Sequence, residues 1–117
     1  MKRMMIALLM VFLSSTLVHA QEGNVAAGKV KATTCFACHG NNGNSTNPMY
    51  PVLAGKKSDF LFERMMAYKK GQVKTETAAM MNPNVANLTE ADLRDLAAYF
   101  AAQTPADPAA GKSRRRR

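Results

Sequence analysis

Cys35-Phe36-Ala37-Cys38-His39 constrains this chain more than any other stretch. Two cysteines two residues apart, with a histidine directly after, have the spacing of a covalent haem attachment site. Each thiol can add to one of two neighbouring vinyl groups on a porphyrin edge, and the next side chain then lies under the iron as a nitrogen ligand. A chain tied to a flat apolar group in this way has to wrap around it. The sequence holds no third cysteine, so one site uses both and none is left for a disulfide. A bond between these two would close too small a loop to stabilise the fold by much. A thiol-exchange centre calls for a βαβ setting, and strand patterns are missing here. A zinc site lacks a fourth ligand.

The chain of 117 residues is short enough for a single domain. Lys2 and Arg3 precede an apolar run over 4–13, then Ser14, Ser15 and Thr16, then Val18-His19-Ala20. This is the order of a signal peptide over 1–20, cut before Gln21. The apolar run falls short of the roughly 20 residues that span a bilayer. Export to the periplasm agrees with the motif, because haem is joined to thiols outside the cytoplasm. The expected organisation is a signal peptide 1–20, a haem domain 21–104 and a disordered basic tail 105–117.

The formal net charge of +8 overstates the charge of the domain. Residues 21–111 hold nine basic against eight acidic side chains. The excess belongs to Lys2 and Arg3 at one end and to Lys112, Arg114, Arg115, Arg116 and Arg117 at the other. Such a tail can touch an anionic membrane surface weakly, at about 1 kcal/mol per residue. An export signal and a lone tail give no reason to expect nucleic-acid binding.

The rest reads as short helices. Asn24 is an N-cap for a helix over 24–34 with a weak inner face. Residues 40–48 are turn chemistry, and 51–55 form a loop with apolar contacts. Ser58 is expected to cap a second helix to Lys70, with Phe60, Leu61, Arg64, Met65 and Tyr68 on one face and Gly71 ending it. Residues 72–87 read as a long loop held by something else. Thr89 caps the last helix, with Asp92 in a capping-box place and Leu88 and Leu93 as a staple. Leu93, Leu96, Ala97 and Phe100 form its stripe, and it should end near Gln103.

His39 accounts for one axial position on the iron. Removal of the leader takes His19 with it, which leaves methionine, lysine or an open site for the other position. Met49, Met65, Met66, Met80 and Met81 are the methionines available.

The ordered segments resemble class I c-type cytochromes, both small soluble bacterial mono-haem proteins and one half of di-haem relatives. The resemblance runs from Asn24 to Gln103. It rests on Gly28, Cys35-Phe36-Ala37-Cys38-His39-Gly40, Tyr50-Pro51-Val52-Leu53-Ala54-Gly55, Tyr68-Lys69-Lys70-Gly71, Met81-Asn82-Pro83 and Leu88-Thr89-Glu90-Ala91-Asp92-Leu93. It implies an all-α cytochrome c fold of three to four short helices around one covalently bound haem c. It implies Met81 as the sixth ligand in preference to Met80, since Pro83 stands two residues after it, although Met81 lies one position further from Leu88 than the family pattern. It implies that the Pro51 carbonyl accepts a bond from the His39 ring, and that Gly28 lets the first and last helices cross. With Cys35, Cys38, His39 and Met81 in those roles, the protein is expected to be no enzyme. It would be a monomeric one-electron carrier, working in the periplasm between respiratory donors and an acceptor through transient contacts with redox proteins. The alternative is a cytochrome subunit of a periplasmic oxidoreductase complex.

Overall fold

A computed structural model describes residues 22–106. The expected signal peptide and most of the expected basic tail lie outside the described residues. Helix α1, Val25–Lys31, starts at Asn24, whose side-chain oxygen accepts the Ala27 N–H at 2.9 Å. The chain then tightens into a 3₁₀ turn, Ala32–Cys35, and reopens as one α-helical turn, α2, Phe36–His39. Gly40 ends this segment, and a second 3₁₀ turn follows, Asn41–Gly43.

Helix α3 spans Ser58–Lys69. Ser58, expected as its cap, is instead its first helical residue. Lys57 holds the capping position without a side-chain bond. Asp59 still lies in the first turn, where a negative charge faces the positive end of the helix dipole. The far end closes as expected. Gly71 takes φ 66°, its N–H donates to the Tyr68 carbonyl, and the Gln72 N–H reaches the Ala67 carbonyl at 2.9 Å.

The expected loop over 72–87 contains a helix, α4, Ala78–Val85. Its local signal is poor, because Asn82, Pro83 and Asn84 are weak helix formers and Pro83 cannot donate to the ladder. Tertiary bonds compensate. Lys69 Nζ donates to the Ala86 carbonyl at 2.8 Å. The Asn82 amide nitrogen, oriented as its surroundings require, donates to the Tyr68 and Ala78 carbonyls at 3.1 Å. Val85 is buried.

Helix α5, Glu90–Ala101, begins with the expected capping box. The Asp92 N–H donates to Thr89 Oγ1 at 3.1 Å, and the Thr89 N–H donates to Asp92 Oδ2 at 2.9 Å. Its stripe of Leu93, Leu96, Ala97, Tyr99 and Phe100 is buried and joins Ala32, Leu61 and Val85 in one core. The helix ends two residues before Gln103. All described elements are helical, and no described helix is long and apolar enough to cross a membrane.

Helices α1 and α5 meet backbone to backbone at Gly28. A Cβ there would lie 2.0 Å from the Asp95 carbonyl oxygen and 2.7 Å from Tyr99 Cβ. Polar bonds seal the same crossing. The Asn24 N–H donates to Asp95 Oδ1 at 2.7 Å, and Lys31 Nζ bridges Asp92 at 2.8 Å and Asp95 at 2.7 Å.

Gly28→Ala should therefore push the two helices apart and cost about 2–3 kcal/mol, read as a lower urea midpoint. The ion cluster gives a pH dependence. The Lys31 ammonium, helped by the Thr89 N–H and hydroxyl, lowers the Asp92 carboxyl from 3.8 to about 2. A carboxyl depressed on folding stabilises the native state above its unfolded value. That stability is lost as pH falls through about 4 towards 2. Lys31 is raised from 10.5 by the same partners, Asp92 first and then Asp95, so its share is complete below 10.5 and is lost as pH rises through the folded value. In urea titrations, Asp92→Asn should lower the midpoint at neutral pH and flatten its fall between pH 4 and 2.

Candidate metal centre

Helix α2 and the loop over 50–55 form one wall of a cavity of about 480 Å³. Cys35, Cys38 and His39 line it, with Tyr50, Pro51, Val52 and Leu53. Phe60, Leu61, Met65 and Tyr68 come from α3, Met80, Met81 and Val85 from α4, and Leu96 and Phe100 from α5. This volume lies in the range of roughly 300–1,000 Å³ common to cofactor sites.

His39 Nδ1 stands 2.9 Å from the Pro51 carbonyl oxygen. A carbonyl only accepts, so Nδ1–H makes this bond and Nε2 is the ring nitrogen not engaged in it. The Tyr50 ring meets the imidazole edge-on, with 6.2 Å between centroids. The loop that holds Pro51 is itself tied down. The Leu53 and Ala54 N–H groups donate to the Gly43 carbonyl at 2.9 and 3.2 Å, and the Gly55 N–H donates to the Phe100 carbonyl at 3.0 Å. Tyr99 donates to Asn42 Oδ1, pinning the turn just after His39 to α5. Gly43 has φ 78°, and a Cβ on it would come within 2.8 Å of Phe100 Cδ1.

Cys35 is half-buried and Cys38 exposed. Burial pushes the Cys35 thiol up, against an opposing bond to Thr34. The cavity gathers every residue that the sequence singled out for cofactor and metal binding: Cys35, Cys38, His39, Pro51, Met80 and Met81. The two methionines differ in setting. Met81 is half-buried and packs on the core, whereas Met80 is 49% exposed. Met49 and Met65 also line the cavity.

The walls suit haem. Met49, Val52, Phe60 and Met80 are four of the six large apolar side chains exposed among the described residues, and all four face this one cavity. A flat apolar group in the cavity would cover them. Imidazole nitrogen, thioether and two thiols against apolar walls are the donor set of a covalently held haem. Lys56 and Arg64, also on the lining, were not singled out as site residues from the sequence. The signal was present: Arg64 interrupts the apolar face of α3 between Phe60 and Tyr68.

The family model "Cytochrome c" matches residues 25–103. Cytochrome c-554(548) of Halomonas halodenitrificans is 42% identical over 81 residues, covering 69% of this chain and 98% of that protein. The structure of reduced recombinant cytochrome c4 from Pseudomonas stutzeri is 35% identical with a TM-score of 0.61, covering 77% of this chain and 53% of that one. A thiosulfate dehydrogenase structure from Marichromatium purpuratum is 30% identical with a TM-score of 0.68, over 75% of this chain and 21% of that one. The chain thus spans nearly all of one relative and about half of the cytochrome c4.

Gly43→Ala should strain the turn and displace Phe100 or the 50–55 loop, costing about 1–3 kcal/mol. Chemical denaturation of the holoprotein would measure the loss.

Proposed function

The chain belongs to the cytochrome c family, and on that premise we propose that Cys35, Cys38, His39 and Met81 make it a six-coordinate electron-transfer centre of the periplasm. It is a c-type cytochrome with covalently bound haem c, an electron carrier whose partners are redox proteins. The observation that carries the finer reading is one cavity holding both thiols, a ring-fixed imidazole and a half-buried thioether.

Each residue has a role that follows from its setting. Cys35 and Cys38 would hold the haem covalently through two thioethers. His39 offers Nε2 to the iron. The Pro51 carbonyl holds the ring in place and strengthens it as a donor. Met81 would supply the thioether to the iron, because its side chain is already packed on the core while that of Met80 is half in solvent. A soft thioether favours the ferrous state and raises the potential over bis-histidine ligation. Haem iron with both axial positions filled exchanges single electrons with little rearrangement and leaves no position for a substrate. The chain is therefore read as a carrier and not as a catalyst.

A signal peptide over 1–20 would deliver the chain to the periplasm, and Arg114, Arg115, Arg116 and Arg117 would give it weak contact with an anionic membrane surface. Docking to donors and acceptors fits the small, short-lived interfaces of redox pairs. A second reading, a cytochrome subunit within an oxidoreductase, has one observation behind it: the fold recurs within a thiosulfate dehydrogenase. Sizing of the native extract separates the two, since a free carrier elutes as a small monomer.

The ligand set is tested by visible spectroscopy of purified variants. Ferric wild type should show the weak far-red band of iron bound by methionine sulfur. Met81→Ala should lose it and Met80→Ala should keep it; the reverse pattern would transfer the role to Met80. On a denaturing gel stained for haem, both variants should stay coloured, whereas the Cys35→Ala, Cys38→Ala double variant should not.

A further inference from the structure

Charge is distributed unevenly around the cavity. Only two of its lining side chains are charged, Lys56 and Arg64, and both are basic. Helices α4 and α5 present no charged group to it, and the remaining titratable groups on its walls are His39, Tyr50, Tyr68, Cys35 and Cys38. The two described arginines also differ. Arg94 pairs with Glu90 at 3.0 Å and lies 4.0 Å from the Phe62 ring centroid. Arg64 has no ion pair among the described residues, and its guanidinium lies 5.5 Å from the centroid of the Tyr68 ring.

Haem is apolar over most of its surface but carries carboxylate side chains on its rim. Seating it in an apolar cavity leaves those carboxylates to be met where the wall is charged, and Arg64 and Lys56 are lining residues that are also exposed, so they can meet the haem rim where the cavity opens to solvent. Arginine suits that task, because its planar fork matches a carboxylate with two parallel bonds and it is always charged. The guanidinium lies over the Tyr68 ring, a cation–π contact that holds it at the cavity wall.

From this arrangement we propose that Arg64, with Lys56 beside it, is the anion-recognition site of the cavity and pairs with the haem carboxylates. The pairing rests on the haem reading above and extends it. It orients the cofactor from the α3 side, and it puts a fixed positive charge near the iron. Ferric iron carries one more positive charge than ferrous, so a nearby cation favours reduction. Arg64 is therefore a positioning residue that also tunes the potential.

The test is spectroelectrochemical titration of the holoprotein at neutral pH. At the potential where wild type is half reduced, Arg64→Gln should shift the reduced-to-oxidised ratio about 3- to 10-fold towards oxidised, as expected for loss of a unit charge near the iron. Arg64→Lys keeps the charge and should recover most of the shift. Lys57→Gln removes an equal charge from an exposed neighbour off the lining and should leave the ratio near wild type. An Arg64→Gln ratio equal to wild type, or one matched by Lys57→Gln, would overturn the pairing. If Arg64→Gln yields no holoprotein, Lys56→Gln carries the test: a shift towards oxidised supports the pairing and an unchanged ratio overturns it. The far-red ferric band, recorded on the same samples, reports the Met81 assignment separately, so failure of that ligand and failure of this pairing give different results.

Discussion

The close crossing of α1 and α5 at Gly28 is the contact on which the rest of the molecule depends. With no Cβ in the way, the backbone of α1 comes against the Asp95 carbonyl. Asn24 and Lys31 on α1 then meet Asp95 and Asp92 on α5. Ala32, one residue past α1, is fully buried in the core that α5 dominates. The turns that follow carry Cys35, Cys38 and His39, so the position of the haem motif is fixed by how closely two helices approach three residues and more before it. Leu96 and Phe100 of α5 line the cavity while Leu93 and Ala97 fill the core, so one helix serves both packing and cofactor.

Features set by local chemistry were legible in the sequence. The haem motif, the Asn24 cap, the Thr89–Asp92 capping box, the Gly71 terminus and the buried stripe of α5 depend on residues within a few positions of each other. Two departures from the local pattern have separate physical causes. Asn82, Pro83 and Asn84 argue locally against a helix at α4, whereas Asn82 and the Ala86 carbonyl find partners on α3, some fourteen to seventeen residues earlier in the chain. Ser58 is of a type that caps helices, yet the backbone turns one residue sooner, at Lys57. Arg64 shares its face of α3 with the apolar residues Phe60, Leu61, Met65 and Tyr68. Its importance emerges only once α3, α4 and the 50–55 loop close around one volume.

The cofactor belongs to the fold as much as to the function. The fully buried core is small, and large apolar side chains that a compact domain would cover, such as Met49 and Phe60, turn instead towards the cavity. A domain of this size buries only a modest share of its surface by itself. Haem supplies the missing interior, and its thioethers make that interior part of the chain. This explains how helices with little amphipathic pattern, α3 and α4 above all, can still be well placed: their apolar residues face a cofactor as well as each other.

The two proposed axial ligands sit on parts of the structure with different support. His39 is held on several sides: α2 follows directly from the α1 crossing, Pro51 fixes its ring, and Asn42 and Gly43 tie the adjoining turn to Tyr99 and to the 50–55 loop. Met81 sits on a short, proline-containing helix joined to α3 by the Asn82 and Lys69 bonds and to the core by Val85. Local opening follows the elements with the fewest buried contacts and most exposed bonds, and α4 is anchored only by Ala78 and Val85 in the interior and by its bonds to α3. The iron–sulfur bond proposed for Met81 would close the circuit, since it would join α4 to the rigid α1–α2–α5 half through the cofactor. Held between the two, the iron would keep its geometry through a change of oxidation state, and the softness of α4 would be confined by the ligand it carries.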